Sequence, residues 1–331
     1  MTPRDRVLSV LQGKPADRIP WIEHGLDRRV IFQAFDLGPF PDLPRGGIEY
    51  DLAVVELDKR INRAIGLCNL EVSYRFSMAP RIRDPHTYAG LITDEASLDK
   101  LVMPDLTPQL WDDLQRLIDA KDEFAMSVSI STGIGHIWQT MEMEAFAIAC
   151  RENHALLRTI LERYTEWTCR VLDKVQTMGI DFVWSFDDFA FKTGPVYSPA
   201  ILREIVLPYA RQIASRIKLP WIFHSDGNLM DVLDDLVPLG MSALNPIEHG
   251  CIDVPAVRAR HPHLTLIGNV DLGLLARGTP DEVRQFVREM FREMNVPGRY
   301  IPASGNSIPH YSRPENVRAM VEEMAKCAEW I

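Results

Sequence analysis

The stretch PWIFHSDGN, residues 220–228, decides the fold. Its apolar run ends abruptly in His224 and Asp226, and Gly227 follows. Side chains two positions apart on an extended strand point to the same side, so His224 and Asp226 share a face, and the glycine permits a sharp turn beyond them. A core histidine beside a helix cap explains this stretch equally well by itself. The recurrence of the pattern favours a functional site.

Three further segments repeat an apolar strand with polar residues at its tip. They are DFVWSFDD, ending in Asp187 and Asp188; ALNPIE, with Asn245 and Glu248; and LTLIGNVD, with Asn269 and Asp271. Helical stretches separate them, which is typical of parallel β/α units. In a closed (β/α)₈ barrel the carboxyl ends of all strands converge on one mouth, where polar residues form the active site. The sequence therefore predicts an α/β fold of the TIM-barrel type, as a single domain over residues 1–331.

An N-terminal helical extension and a lid complete the predicted barrel. The opening residues predict a short amphipathic helix that Thr2 caps and Gly13 ends. IPWIEHG, residues 19–25, is predicted as the first strand. The long insertion after it, over residues 37–78, is rich in glycine and proline at its start and predicts a lid.

The helices predicted in the rest of the chain are of ordinary length. Two helices are predicted over residues 138–150 and 153–178. Ser198 caps a long helix that Pro208 should kink, because proline removes a backbone donor and clashes with the preceding turn. Thr279 begins another helix with a predicted capping box.

Composition excludes several classes of function. The formal net charge is −10, and no run of lysine and arginine forms a basic stripe, so neither nucleic acid nor an anionic membrane is an expected partner. Five widely spaced cysteines without a CxxC motif fit a reducing, cytoplasmic setting rather than a disulfide framework. No signal peptide or membrane-spanning run is predicted.

The chain resembles the uroporphyrinogen decarboxylase superfamily, which also holds cobalamin-dependent methyltransferases. The resemblance lies in MTPRDRVLSVLQGKPADRIP at the start, DDFAFKTGPVYSP in the centre, HSDGN with LNPIE, GNVD followed by GTPDEV, and GNSIPHYSRPENV near the end. These stretches span most of the chain. They imply the barrel fold, while the activity is left open because members differ in chemistry at the same mouth.

One departure from the family pattern concerns the substrate. Uroporphyrinogen decarboxylases carry an arginine-rich motif after the first strand to hold a polycarboxylate, and this chain has Glu23 and His24 there. An acidic residue facing a polyanion would repel it. Arg28 and Arg29 follow on a predicted helix, where a solvated face is the expected place for them. Porphyrinogen decarboxylation is thereby disfavoured.

A second departure concerns the metal. The thiol-directed methyltransferases of the superfamily bind zinc through an H-x-C pair and a late cysteine. Here the pair is His224-x-Asp226, and the late position falls near Asn306. Oxygen ligands in place of thiolates suit a harder site that acts on oxygen or water. The resemblance is therefore closest to members that demethylate methoxylated compounds.

That resemblance implies a methyltransferase that passes a methyl group from a methoxylated donor to a corrinoid protein. The donor is expected to be aromatic. The corrinoid is carried by this partner, zinc is an expected metal, and a homodimer is a further expectation. Two alternatives stay open: a decarboxylase of a small or cyclic acid, and a non-catalytic barrel that binds a corrinoid or tetrapyrrole.

Candidate site residues follow from the strand tips. The predicted metal ligands are His224, Asp226 and Glu248, although the same three could form a proton-sharing network instead. They are also predicted as catalytic, together with Asp187 or Asp188, of which one is expected to be functional and the other structural. The predicted substrate-binding residues are Glu23, His24, Asn228, Asn245, Asn269, Asp271, Asn306 and His310.

Each of these side chains also has a plainer structural interpretation. Glu248 follows a proline at a strand end, where a helix-capping carboxylate is common. Asn269 and Asp271 can form a hydrogen-bonded scaffold, and Asp187 or Asp188 can cap a helix or pair with Lys192. His310 lies in a loop and is expected to be exposed. The strand tryptophans, Trp21, Trp184 and Trp221, are expected mainly in the core.

Overall fold

The computed structural model describes residues 1–76 and 90–329. The chain forms two compact units. The first unit comprises Met1–Ser73, Asp112–Ser127 and Ser242–Ile331, and the second comprises Tyr74–Trp111 and Val128–Met241. The end of the predicted lid, residues 77–78, lies outside the described residues. The single-domain organisation and the lid itself stay predictions.

Short strands alternate with helices along the chain. Parallel pairing joins β3 to β6 in the second unit, and β7 to β8 and β8 to β9 in the first. Their residues are almost all buried, as expected of parallel strands covered on both faces. The strands are β1 Asn69–Arg75, β2 Ala125–Ile130, β3 Phe182–Phe186, β4 Ala190–Phe191, β5 Gly194–Pro195, β6 Trp221–His224, β7 Ala243–Asn245, β8 Thr265–Ile267 and β9 Tyr300–Ile301.

The helices begin at the predicted caps. Thr2 and Thr279 both form capping boxes, and Ser198 accepts a hydrogen bond from Ile201 N. The α-helices are α1 Pro3–Leu11, α2 Arg28–Ala34, α3 Gly47–Ile65, α4 Pro108–Asp119, α5 His136–Gln139, α6 Met143–Glu152, α7 His154–Val175, α8 Pro199–Ile201, α9 Leu207–Ala214, α10 Leu233–Leu236, α11 Val254–Arg260, α12 Leu272–Arg277, α13 Pro280–Met294 and α14 Pro314–Cys327. Short 3₁₀ segments occupy Glu95–Lys100 and Val237–Leu239.

The first predicted strand, residues 19–25, is wrong as a regular strand. In the first unit this segment forms only an isolated bridge between Trp21 and Leu67. The side chain of Asn69 explains the interruption: its Oδ1 accepts from Glu23 N at 3.0 Å, and its Nδ2 donates to Glu23 O at 2.9 Å. The Asn69 side chain thus binds the N–H and the carbonyl of Glu23, the two backbone groups that a neighbouring strand would otherwise bind.

The predicted helix over residues 138–150 is wrong as one element, because α5 and α6 are separated by three residues. Backbone pairing with Ile92, in the same unit, explains the break. Ile92 N donates to Thr140 O at 3.1 Å, and Glu142 N donates to Ile92 O at 3.3 Å. These backbone groups are thereby withdrawn from a continuous helical ladder.

A π-helical turn over Leu202–Val206 precedes Pro208, and the kink predicted for this helix stays a prediction. Proline has no N–H, so the carbonyl of Glu204, four residues earlier, lacks its helical donor. Instead, Nη2 of Arg158 donates a hydrogen bond to that carbonyl oxygen at 3.4 Å. A side chain of α7 therefore compensates in part for the missing backbone bond.

The strand tryptophans lie in the core, which confirms their predicted place. Trp184 and Trp221 of the second unit and Trp21 of the first are all buried. Across residues 1–76 and 90–329, no helix combines the length and the apolar character needed to cross a bilayer.

Candidate functional site

The second unit brings Asp188, His224 and Asp226 together beyond the carboxyl ends of β3 and β6. Phe186 is aligned with His224 in the parallel register, so the residues that follow each strand are neighbours. His224 Nε2 lies 3.5 Å from Asp188 Oδ1 and 3.7 Å from Asp226 Oδ1. One candidate ligand atom from each of the three side chains lies within 4.8 Å of the other two. We call these three residues the carboxylate–histidine cluster.

Exposure differs sharply within the carboxylate–histidine cluster. The His224 side chain is 3% exposed, whereas Asp188 and Asp226 are 44% and 36% exposed. The backbone N–H of Asp226 donates to Asp188 Oδ1 at 3.1 Å, which ties the two turns to each other. A buried imidazole beside two partly exposed carboxylates offers one nitrogen and two oxygen donors to a ligand.

Asp187 lies in a different environment from its neighbour Asp188. It is fully buried and accepts hydrogen bonds from Ser131 Oγ at 2.6 Å and from Thr132 N at 2.9 Å. Burial raises the pKa of Asp187, and these hydrogen bonds oppose that rise. The structure therefore gives the two side chains different environments: that of Asp187 is buried, and that of Asp188 belongs to the cluster. Which of the two is functional stays a prediction.

The turn after β6 is fixed by close backbone contacts. Gly227 has a φ of +83°, and a Cβ there would lie 2.5 Å from the carbonyl oxygen of Ala190. Asn228 N donates to Phe191 O at 2.8 Å, and Asn228 Oδ1 accepts from Met230 N at 3.0 Å. The side-chain oxygen of Asn228 thus stabilises its own turn, and its predicted contact with substrate stays a prediction.

An aromatic pair borders the carboxylate–histidine cluster. Phe186 is half-buried, and its ring centroid lies 4.9 Å from that of His224. Trp184 stacks on Phe186 with 5.9 Å between the ring centroids. Sequence reasoning missed Phe186, although the alternation of β3 carried a signal, since residues 184, 186 and 188 share one side of an extended segment.

Glu23 of the first unit is buried within a set of donors. Its Oε1 accepts from Trp21 Nε1 and from Ser304 N, both at 2.8 Å, and its Oε2 lies 2.6 Å from Ser304 Oγ. Burial raises the pKa of Glu23 to about 7, against the lowering effect of these hydrogen bonds. The carboxyl group of Glu23 thus connects Trp21 to Ser304 in the loop after β9. The predicted contact of Glu23 with substrate stays a prediction.

The other predicted residues of the first unit are spread over several loops. His24 Nδ1 lies 3.9 Å from Glu71 Oε2. Asn306 is half-buried, and His310 is exposed, as its loop position predicted. The substrate-binding roles of His24, Asn306 and His310 stay predictions.

The tips of β7 and β8 carry the remaining candidates. Asn245 is buried and Glu248 is half-buried. The expected capping role of Glu248 is wrong for α11, because Asp253 accepts from Ala256 N and is the N-cap of that helix. Asp271 caps α12 by accepting from Gly273 N at 2.7 Å.

Asn269 N approaches the sulfur of Met290 at 3.2 Å. Contacts of Asn245, Asn269 and Asp271 with substrate stay predictions. Glu248 is not a member of the carboxylate–histidine cluster, and its role as a metal ligand likewise stays a prediction.

Parallel β/α units with acidic and histidine side chains at the strand ends are typical of enzymes with an α/β-barrel fold. The family comparison gives the particular family. The family model for uroporphyrinogen decarboxylase (URO-D) matches residues 71–327, so the chain belongs to the URO-D family. The predicted superfamily and its TIM-barrel-like α/β fold are thereby confirmed.

Known proteins similar to the chain carry two kinds of name. A uroporphyrinogen decarboxylase of Pelodictyon phaeoclathratiforme is 25% identical over 97% of both chains, and one of Chlorobium limicola is 24% identical over the same shares. A methyltransferase from Methanosarcina mazei has a TM-score of 0.72 at 16% identity, covering 98% of this chain and 99% of that one. At this identity the structural likeness shows the fold. The relatives found by sequence carry the decarboxylase name, and the structural neighbour carries the methyltransferase name.

Proposed function

We propose that the protein is a methyltransferase that transfers the methyl group of a methoxylated aromatic compound to a corrinoid protein, with a divalent metal held by Asp188, His224 and Asp226. The carboxylate–histidine cluster is the observation that carries this proposal, because it gathers three donor groups within 4.8 Å beyond the strand ends. Asp188 takes the place of the predicted Glu248 among the proposed ligands.

The donor set fits a metal that acts on oxygen. One imidazole nitrogen and two carboxylate oxygens are suitable ligands for zinc and for harder divalent ions. No cysteine belongs to the cluster among the described residues. Three protein ligands leave a coordination position for the ether oxygen of a substrate, as catalytic metal sites require.

The reaction breaks the bond between the methyl carbon and the ether oxygen, and the electron pair stays on that oxygen as a phenolate. The corrinoid of the partner protein supplies the nucleophile that takes the methyl group. The chain must hold the ether in line and stabilise charge on its oxygen. Asp188 and Asp226 are the more exposed members of the cluster, and together with the buried His224 they would hold the metal.

His224 offers a second way to assist the same leaving group. Without a metal, the imidazole of His224 could act as a general acid and donate a proton to the ether oxygen as it leaves. The ring of Phe186 at 4.9 Å supplies an aromatic wall for a planar donor. Both modes use the same side chains and differ in metal content, which is measurable.

An exposed aromatic side chain near the cluster suits contact with a protein partner. Phe191 is 58% exposed on the β4–β5 hairpin. The hydrogen bond from Asn228 N to Phe191 O fixes this hairpin to the turn that carries Asp226. We include Phe191 in the surface proposed to contact the corrinoid protein.

Decarboxylation of a porphyrinogen is the second candidate, favoured by the names of the relatives with 24–25% identity. The two arginines after the first predicted strand, where a polycarboxylate would bind, contact other side chains of the first unit. Arg28 makes a bidentate pair with Asp58 at 2.5 and 2.7 Å, and the guanidinium of Arg29 lies 4.4 Å from the ring centroid of Phe40. This arrangement favours the methyltransferase.

The test of the proposal combines metal content with methyl transfer. Protein purified without chelators should contain about one divalent metal per chain, and a methoxylated aromatic with a reduced corrinoid protein should give the absorbance change of corrinoid methylation. Asp226→Asn should lose both. The control is Asp173→Asn, which removes an exposed carboxylate paired with Arg216 in the same unit and should retain both. Release of carbon dioxide from a porphyrinogen without any corrinoid would establish the decarboxylase instead.

A further inference from the structure

Helix α5 of the second unit packs directly against the peptide that joins Asp187 to Asp188. A Cβ at Gly135 would lie 2.6 Å from the carbonyl carbon of Asp187 and 2.8 Å from the backbone N and O of Asp188. Only a glycine permits so close an approach. The start of α5 and the peptide before the cluster are therefore in contact without an intervening side chain.

Trp138 adds a directed bond to this contact. Its indole N–H donates to the carbonyl oxygen of Asp188 at 2.8 Å. The neighbouring side chain is held by the same segment, because the Asp187 carboxylate accepts from Ser131 and Thr132. The segment over residues 131–138 thus holds both residues of the Asp187–Asp188 pair.

The side chain of Asp188 depends on this backbone support. It is 44% exposed, so packing restrains it little. Its Oδ1 accepts from Asp226 N at 3.1 Å, a bond that exists only while the two turns keep their spacing. A tilt of the Asp188 peptide would move its carboxylate away from both His224 and Asp226.

We infer that Trp138 is a positioning residue that orients Asp188 as a metal ligand through the hydrogen bond to its carbonyl oxygen. This inference rests on the proposed metal role of the carboxylate–histidine cluster. Groups that orient metal ligands typically change metal affinity by about 10- to 100-fold when removed. Loss of the indole donor should therefore weaken metal binding, with little direct effect on the ligands themselves.

The experiment measures Zn²⁺ affinity of the metal-free full-length chain by calorimetric titration, together with its thermal unfolding. Trp138→Phe removes the donor and keeps an aromatic ring, and Trp138→His restores an N–H in an aromatic side chain. Trp167→Phe is the matched control, because Trp167 Nε1 makes the same kind of bond, at 2.9 Å, to the carbonyl of Pro104 in the same unit.

Trp138→Phe should raise the dissociation constant for Zn²⁺ about 10- to 100-fold, and Trp138→His should recover part of that loss. Trp167→Phe should lower thermal stability and leave the dissociation constant unchanged. Equal affinity in Trp138→Phe and the parent would overturn the positioning role while the metal site stands. A parent chain that binds no Zn²⁺, or one whose binding survives Asp226→Asn, would overturn the metal site and the positioning role with it.

Discussion

Replacing Glu23 by glutamine should remove a pH dependence from the stability of the chain. The carboxyl group is buried, and its oxygens face Trp21 Nε1 and both the backbone N and the hydroxyl of Ser304. A glutamine amide can keep this pattern, since its oxygen accepts from Trp21 and Ser304 N and its NH₂ donates to Ser304 Oγ. The substitution therefore imitates the protonated form of Glu23.

The magnitude follows from the pKa. Burial raises the pKa of Glu23 from 4.5 to about 7 in the folded chain. At about 1.4 kcal/mol per pKa unit, ionising the buried carboxyl lowers the free energy of unfolding by about 3 kcal/mol. The folded chain binds the extra proton between these two pH values. The contribution of Glu23 to stability is therefore fully present below about pH 4.5. That contribution falls as the pH rises and is lost as the pH rises through 7.

Urea unfolding of the parent and of Glu23→Gln at intervals from pH 5 to pH 8 measures this effect. The variant should be more stable than the parent by no more than about 1 kcal/mol near pH 5 and by about 3 kcal/mol at pH 8. Glu289→Gln, an exposed carboxyl of the same unit, serves as the control and should run parallel to the parent. Parallel curves for Glu23→Gln and the parent would refute the raised pKa.

Further outcomes test the cluster and the fold. Asp188→Asn should abolish stoichiometric metal binding by elemental analysis, while Glu248→Gln should retain it; the reverse result would restore Glu248 as the ligand. Gly227→Ala should destabilise the chain by at least about 2 kcal/mol in chemical unfolding, because a Cβ would meet Ala190 O at 2.5 Å in a left-handed backbone. Thr279→Ala should cost about 1 kcal/mol by removing a capping box, and an unchanged unfolding midpoint would contradict that role.

Local rules in the sequence determined much of the architecture. The alternation of apolar strands and helices indicated the barrel, and the caps at Thr2, Ser198 and Thr279 lie where their residue types predicted. The effect expected of Pro208 on its helix likewise comes from a missing N–H that acts on the residues beside it. Such effects depend on residues within a few positions along the chain, so they can be predicted from the sequence alone.

Only tertiary structure decided which side chains form the cluster and which serve as support. The period of a strand placed His224 and Asp226 on one side, but the selection of Asp188 required the parallel register that aligns Phe186 with His224. The interruption of the first predicted strand by Asn69, 46 residues from Glu23, is likewise a long-range event.

The indole bond from Trp138 to Asp188 joins residues 50 positions apart. Strand period and capping arise from backbone geometry over a few residues, whereas these contacts arise from how distant segments pack. For that reason the sequence alone determined the fold class and the histidine–aspartate pair, and the folded chain determined the third member of the cluster and its supports.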